Sequence, residues 1–314
     1  GLVGSEMCIR DSWGIRQRLM PEYNYNGIWN NLATVRIGEG VAGPLPPNFS
    51  EFYDVGINTL CNAECPFCYV SASNRGRNFE NICETWLKWM KTFPDDIRKG
   101  AITRTLKPFQ IAIGSTGEPA IHPDFINFLK TVYESGVVPN YTTNGIVLSE
   151  LSERAEELIE VTGKYCGGVA VSFGNKDIRD RAYMAVEKLL ANGDINVNIH
   201  HIISDKKSVE DFLNVWGEYN DEIRYHVLLP LMPEGRSTEG LDPSAWDMLE
   251  TSIIRLGIDN VAFGANFVKN LESSPIKTWL YPPESLSKNV ILEKDCVKIT
   301  PSSFDLTPMM EICL

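Results

Sequence analysis

From about residue 51 the sequence alternates short β-rich runs with longer stretches of helical period, and that alternation restricts the possible folds more than any other feature. It spells repeated β/α units built around a parallel sheet. The spacing predicts a helix over 79–91, where Phe79, Ile82, Cys83, Trp86, Leu87 and Met90 form one stripe at i, i+3, i+4, i+7, i+8 and i+11. The same spacing returns at Phe125, Phe128, Leu129, Val132 and Tyr133, with Pro123 and Asp124 near the start and Gly136 just past the end. Strand candidates lie at 53–59, 109–114, 137–142, 168–173, 195–203 and 223–231, which makes six units. A doubly wound sheet or a full or partial (β/α) barrel satisfies this pattern. In both, ligands gather beyond the C-terminal ends of the strands.

The ends of the chain fit the rhythm less well. Residues 13–50 read as an N-terminal extension with a strand at Ala33–Ile37 and a Gly/Pro loop at 43–47. Past residue 257 the helical period fades and 289–299 reads as a small hairpin, so 51–257 is taken as the core and 258–314 as an appendage over the mouth. Residues 1–12 are set apart, because Glu6-Met7-Cys8-Ile9-Arg10-Asp11-Ser12 resembles the translation of a transposon adaptor used in sequencing libraries. On that reading Cys8 is no ligand and the natural start lies downstream, at a residue such as Met20.

With 314 residues, 43% of them apolar, the chain can bury a large core. It has no run of eighteen apolar residues and no recognisable cleaved leader, so a soluble, cytoplasmic protein without a membrane partner is expected. A formal charge of -12 argues against bulk nucleic-acid binding, which needs clustered cations. Eight cysteines in a chain this long, three of them within eight residues, point to thiol or metal chemistry rather than a disulfide scaffold.

Those three stand in Cys61-Asn62-Ala63-Glu64-Cys65-Pro66-Phe67-Cys68, directly after the first strand candidate. Three thiolates on a four-iron cubane leave one iron open to a small molecule. A zinc knuckle and a chance cluster of buried thiols are the alternatives, since Cys65 and Cys68 alone also have zinc spacing. Cys83, on the apolar stripe, reads as core.

Later strand ends carry further polar groups. Gly114-Ser115-Thr116-Gly117-Glu118-Pro119 combines glycines, which let backbone approach a ligand, with a carboxylate suited to an ammonium. Thr142, Thr143 and Asn144 offer hydroxyls and an amide for a ribose or carboxylate, although Asn144-Gly145 is also an ordinary turn. Ser172 ends the fourth strand. In the fifth, Ile195, Val197 and Ile199 alternate with Asn196, Asn198 and His200, so the polar face is expected to line the lumen, and His200 and His201 cannot both point inward. Arg236 reads either as a binder of a substrate carboxylate or phosphate or as a surface charge.

The cysteine spacing, with Phe67 just before the last thiol, resembles the CxxxCx(aromatic)C signature of the radical S-adenosylmethionine superfamily. Gly117-Glu118-Pro119 looks like that family's Gly-Gly-Glu-Pro, with Thr116 in place of the first Gly, and Thr143-Asn144-Gly145 like its Thr-Asn-Gly. The resemblance implies a partial (β/α)6 TIM-type barrel with a small C-terminal appendage, and a [4Fe-4S] cluster on Cys61, Cys65 and Cys68. It also implies S-adenosyl-L-methionine held among Phe67, Tyr69, Gly117, Glu118, Thr143, Asn144, Ser172 and His200.

In such enzymes a low-potential donor of flavodoxin or ferredoxin type reduces the cluster. S-adenosylmethionine is then cleaved to a 5'-deoxyadenosyl radical, which takes hydrogen from the substrate, and the resemblance implies no general base. Pro301-Ser302-Ser303-Phe304 looks like the Pro-Cys-Ser-Phe of the SPASM/twitch appendages of peptide-modifying relatives, with Ser302 where a ligand would stand, so a second cluster is not expected at Cys296 and Cys313. That tail favours a peptide or protein substrate. The alternatives are a nucleotide or small metabolite, or a non-catalytic iron-sulfur regulatory protein.

Overall fold

A computed structural model of the protein describes residues 52–91, 110–267, 270–271, 273–276, 288–293, 296–300 and 310–313. The expectations for residues 1–50 and for Pro301-Ser302-Ser303-Phe304 lie outside these. Seven strands lie side by side in chain order and run parallel: β1 (Phe52–Gly56), β2 (Gln110–Ile113), β3 (Val138–Thr143), β4 (Gly168–Ser172), β5 (Val197–Ile203), β6 (Tyr225–Pro230) and β7 (Val261–Phe263). The helices are α1 (Ile82–Lys91), α2 (Phe125–Glu134), α3 (Ile146–Ser149), α4 (Glu153–Tyr165), α5 (Arg179–Ala191), α6 (Lys206–Tyr219) and α7 (Pro243–Leu256). The sheet stays open, so the architecture is the expected partial TIM-type α/β barrel, extended by one parallel strand beyond the six units predicted. No helix among the described residues is long and apolar enough to cross a membrane.

Local chemistry explains where the helices begin and end. The Ser152 side chain accepts from Ala155 N at the start of α4, and Asp205 and Ser208 form a reciprocal capping box on α6. Asp242 and Pro243 open α7, which ends on Gly257 at φ 65°, a left-handed position suited to glycine. The helix predicted from residue 79 starts three residues later, at Ile82. Asn81 sits at φ 56°, outside the helical region, and Phe79 instead donates its N–H to Ile57 O, which ties the segment to the end of β1.

The expected hairpin also forms. Its first arm, β8 (Lys288–Glu293), pairs in parallel with β1, while β9 (Cys296–Thr300) and β10 (Met310–Cys313) follow antiparallel. The edge of β1 would otherwise present a row of unpaired backbone groups, and β8 satisfies them.

The registers sort the side chains into two faces. Val55, Ile113, Tyr141, Val169 and Val197 occupy one row across β1 to β5, all buried in the main core. That row faces the helices, since Tyr141 packs edge-on against Phe125 of α2 and its hydroxyl meets Thr162 Oγ1 of α4 at 2.8 Å. The alternate rows are small or polar, with Thr142, Ala170 and Asn198 in one and Ser172 beside His200 in the next. His201 takes the helix side: its ring stacks on His226 at 5.3 Å and meets Phe212 of α6 edge-on at 5.1 Å. The two neighbouring histidines therefore point to opposite faces, as the alternation in β5 requires.

Candidate functional site

Beyond β1 the chain makes a loop that returns to the same strand end. Cys61 N donates to Ser73 O and Thr59 N to Arg77 O, both at 2.9 Å. Glu64 at φ 47° and Ser71 at φ 54° supply the sharp bends. Cys61, Cys65 and Cys68 are free thiols, each partly exposed. Cys83 sits on α1 at the margin of the core, and Cys166 is buried at the end of α4. Neither belongs to this loop.

Two asparagines from neighbouring strand ends reach the thiols. Asn144, after β3, directs its amide to Cys61 Sγ at 3.9 Å and donates to Asn62 Oδ1 at 2.8 Å. Asn175, after β4, donates to Cys65 Sγ at 3.4 Å and to Ala63 O at 3.3 Å. Burial pushes the Cys65 thiol up to about 11 against the hydrogen bond from Asn175 and, more weakly, the charge of Arg236. Burial likewise raises Cys61, opposed by backbone donors in the loop. Both thiols are therefore protonated near neutral pH. Among the described residues no three His, Cys, Asp or Glu side chains are gathered as the ligand group of a metal ion.

Glu118 joins the turn after β2 to the end of β3. Its Oε1 accepts from Thr143 Oγ1 at 2.8 Å and Ala120 N at 3.1 Å, and its Oε2 accepts from Asn144 N at 2.7 Å. The side chain that reaches Cys61 is thus held by a carboxylate one strand away. Burial pushes Glu118 up to about 7 against these three donors. Its own backbone is held too, with Glu118 N donating to Leu60 O and Asn58 Nδ2 to Glu118 O. Thr116, the departure from the family's glycine, fits because its hydroxyl bonds Asn58 O and because Gly56 opposite has no Cβ, which would lie 2.8 Å from Thr116 Cγ2.

The other predicted residues lie around this unit. Gly117 presses so close to the start of the loop that a Cβ would fall 2.7 Å from Leu60 O. Phe67 is half-buried against Gly174 and Ile202, lining a cavity of about 120 Å³ with Phe173 and Leu231. Tyr69, 37% exposed, donates its hydroxyl to Ser115 O at 3.3 Å and so ties the loop to the turn after β2. Ser172 and His200 stand side by side on β4 and β5. Asn62 and Asn175 are functional candidates that sequence reasoning missed, and Arg236, read as an anion binder or a surface charge, reaches the cysteine loop through Ala72 O. Of the two that were missed, Asn175, following Gly174 just beyond a strand, carried a turn signal that would have singled it out.

The buried titratable groups make stability depend on pH. Burial lowers His200 to about 4 and His226 to about 3, and holds His201 well below its ordinary range, with the neighbouring His226 adding to the effect. The folded chain keeps these rings neutral where the unfolded chain protonates them, below about pH 6.5. Stability is therefore expected to be complete above that pH and to fall as pH drops toward about 4, by up to about 1.4 kcal/mol per unit for each histidine. Burial lowers His122 as well, so Glu118, raised, acts in the opposite sense as one group against four. Urea unfolding across this range measures the slope, and a His201→Leu/His226→Leu double variant should flatten it.

No protein-family model and no curated protein matches the chain. Solved structures do. SuiB of Streptococcus suis bound to its precursor peptide SuiA aligns with a TM-score of 0.58 at 15% identity, over 82% of this chain and 60% of that one. SuiB bound to S-adenosylmethionine aligns with a TM-score of 0.55 at 13% identity, over 81% and 60%. The chain thus spans 60% of the SuiB length. At these identities the match is one of fold: this chain shares the partial β/α barrel of SuiB.

Proposed function

We propose that the protein is a radical S-adenosylmethionine enzyme whose [4Fe-4S] cluster is held by Cys61, Cys65 and Cys68. One observation carries the reading: three free thiols share a single loop at the end of β1, and side-chain amides from the ends of β3 and β4 point at two of them. The donor set fits the group, because three thiolates leave one iron of a cubane open, and the other described cysteines lie elsewhere: Cys83 in α1, Cys166 at the end of α4, and Cys296 and Cys313 on β9 and β10. When bound, the cluster supplies a low-potential electron for cleavage of S-adenosylmethionine, and the resulting 5'-deoxyadenosyl radical takes hydrogen from the substrate.

The chain's own residues bind and orient. Asn144 and Asn175 donate toward sulfur and stabilise its thiolate form. Glu118 fixes Asn144 through the backbone N–H of that residue. Gly117 brings backbone to the loop, Phe67 walls the cavity, and Tyr69 closes the loop against Ser115. Ser172 and His200 offer polar groups on the lumen face. Burial keeps His200 neutral, so it serves as a hydrogen-bonding group rather than a cation. We take the substrate to be a peptide, on the ground that the peptide-bound SuiB structure shares this fold, and the electron donor to be of flavodoxin or ferredoxin type.

Anaerobic reconstitution with iron and sulfide, followed by dithionite and S-adenosylmethionine, tests the proposal. About four irons per chain and release of 5'-deoxyadenosine are expected. Bound zinc without iron would overturn it.

A further inference from the structure

After β6 the segment Leu231–Gly240 leaves the barrel, and part of it settles on the cysteine loop. Arg236 N donates to Cys68 O at 3.1 Å, and its Nη2 donates to Ala72 O at 2.6 Å. One residue therefore grips the loop at the last cysteine and again four positions later. Gly235, at φ 64°, packs onto the carbonyls of Cys68 and Tyr69 so closely that no Cβ fits. The guanidinium itself is half-buried. Its Nε is shielded from solvent without a hydrogen-bond partner, and among the described residues no carboxylate forms an ion pair with it. Even a partly buried cation without a counter-ion is favoured by negative charge nearby. Around Arg236 that charge comes from the three-thiol loop, which becomes anionic once the thiols are metal-bound.

We infer that Arg236 is a positioning residue for the cysteine loop and supplies the positive charge facing its metal group, an inference that rests on the function proposed above. The two bonds to Cys68 and Ala72 hold the loop's shape. The charge favours the more negative, reduced state of the cluster, because a nearby cation stabilises added negative charge.

Anaerobically reconstituted wild type, Arg236→Gln and Arg236→Lys separate the two contributions, with iron assay, thermal melting and a redox titration followed by electron paramagnetic resonance. At a potential where half of the wild-type cluster is reduced, the reduced-to-oxidised ratio in Arg236→Gln should fall about tenfold, equivalent to about 59 mV for a one-electron couple. Arg236→Lys should restore most of that ratio while releasing iron to a chelator faster than wild type, because it keeps the charge and loses the planar fork. Loss of iron in the Gln variant alone, with normal melting, would also support the inference. A wild-type ratio in Arg236→Gln would overturn it, as would an equally lowered ratio in Arg236→Gln and Arg236→Lys. Failure of the wild type to take up iron would instead overturn the function on which the inference rests.

Discussion

Cys65→Ala, reconstituted anaerobically, is expected to retain less than about a tenth of the wild-type iron, set against roughly four irons per chain, and to release no 5'-deoxyadenosine. Cys65 is the middle thiol of the loop, and Asn175 already directs a donor at its sulfur. Removing it leaves two thiolates, which do not secure a cubane that needs at least three corners held. The fold should survive. Cys65 lies in a loop, partly exposed and outside the packed clusters between sheet and helices, so its truncation opens no core cavity. The melting temperature of the metal-free variant should stay within a few degrees of metal-free wild type. Full iron content in Cys65→Ala would remove this cysteine from the ligand set and with it the proposed cluster site.

Trp86→Ala should do the reverse. Trp86 is fully buried in α1, edge-on to Trp89 at 5.5 Å and to Phe128 of α2 at 6.0 Å, and its indole N–H donates to Ser135 Oγ at 2.9 Å. Trp89 in turn packs edge-on against Tyr53 of β1, the strand whose end carries the cysteine loop. Truncation removes a large buried side chain, leaves a cavity and deprives Ser135 of a partner, for a loss of about 3–5 kcal/mol. For a domain of this size that lowers the melting temperature by roughly 10 °C. Iron per folded chain should be unchanged. Circular dichroism melts paired with iron assays test both halves, and a Trp86→Ala protein that melts like wild type would show that the aromatic stack does not anchor β1.

The two variants separate what holds the barrel from what the barrel holds. That division is also where reading the sequence succeeded and failed. Strand and helix positions were legible because they depend on short-range periodicity: 168–173 was expected where Gly168–Ser172 forms, and 223–231 where Tyr225–Pro230 forms. The first helix began later than its apolar stripe, since Phe79 satisfied the stripe while bonding to Ile57 O instead. The seventh strand, only Val261–Phe263, is too short to show a period. The parallel pairing of β8 with β1 was invisible, because a strand's pattern does not say which edge it will join.

The site divides along the same line. Local residue order was enough to place three thiols on one loop after a strand, a glycine-carboxylate turn after the next, and an alternation in β5 that turns His200 and His201 to opposite faces. What those groups touch was decided only by the tertiary fold. Asn144 meets Cys61 across 83 residues, Asn175 meets Cys65 across 110, and Arg236 meets Ala72 across 164. Glu118, read as a carboxylate suited to a ligand's ammonium, accepts three hydrogen bonds that join two strand ends. Periodicity and turn chemistry act over a few residues and can be read from order alone, whereas a hydrogen bond between distant strand ends exists only once a parallel sheet has brought those ends together.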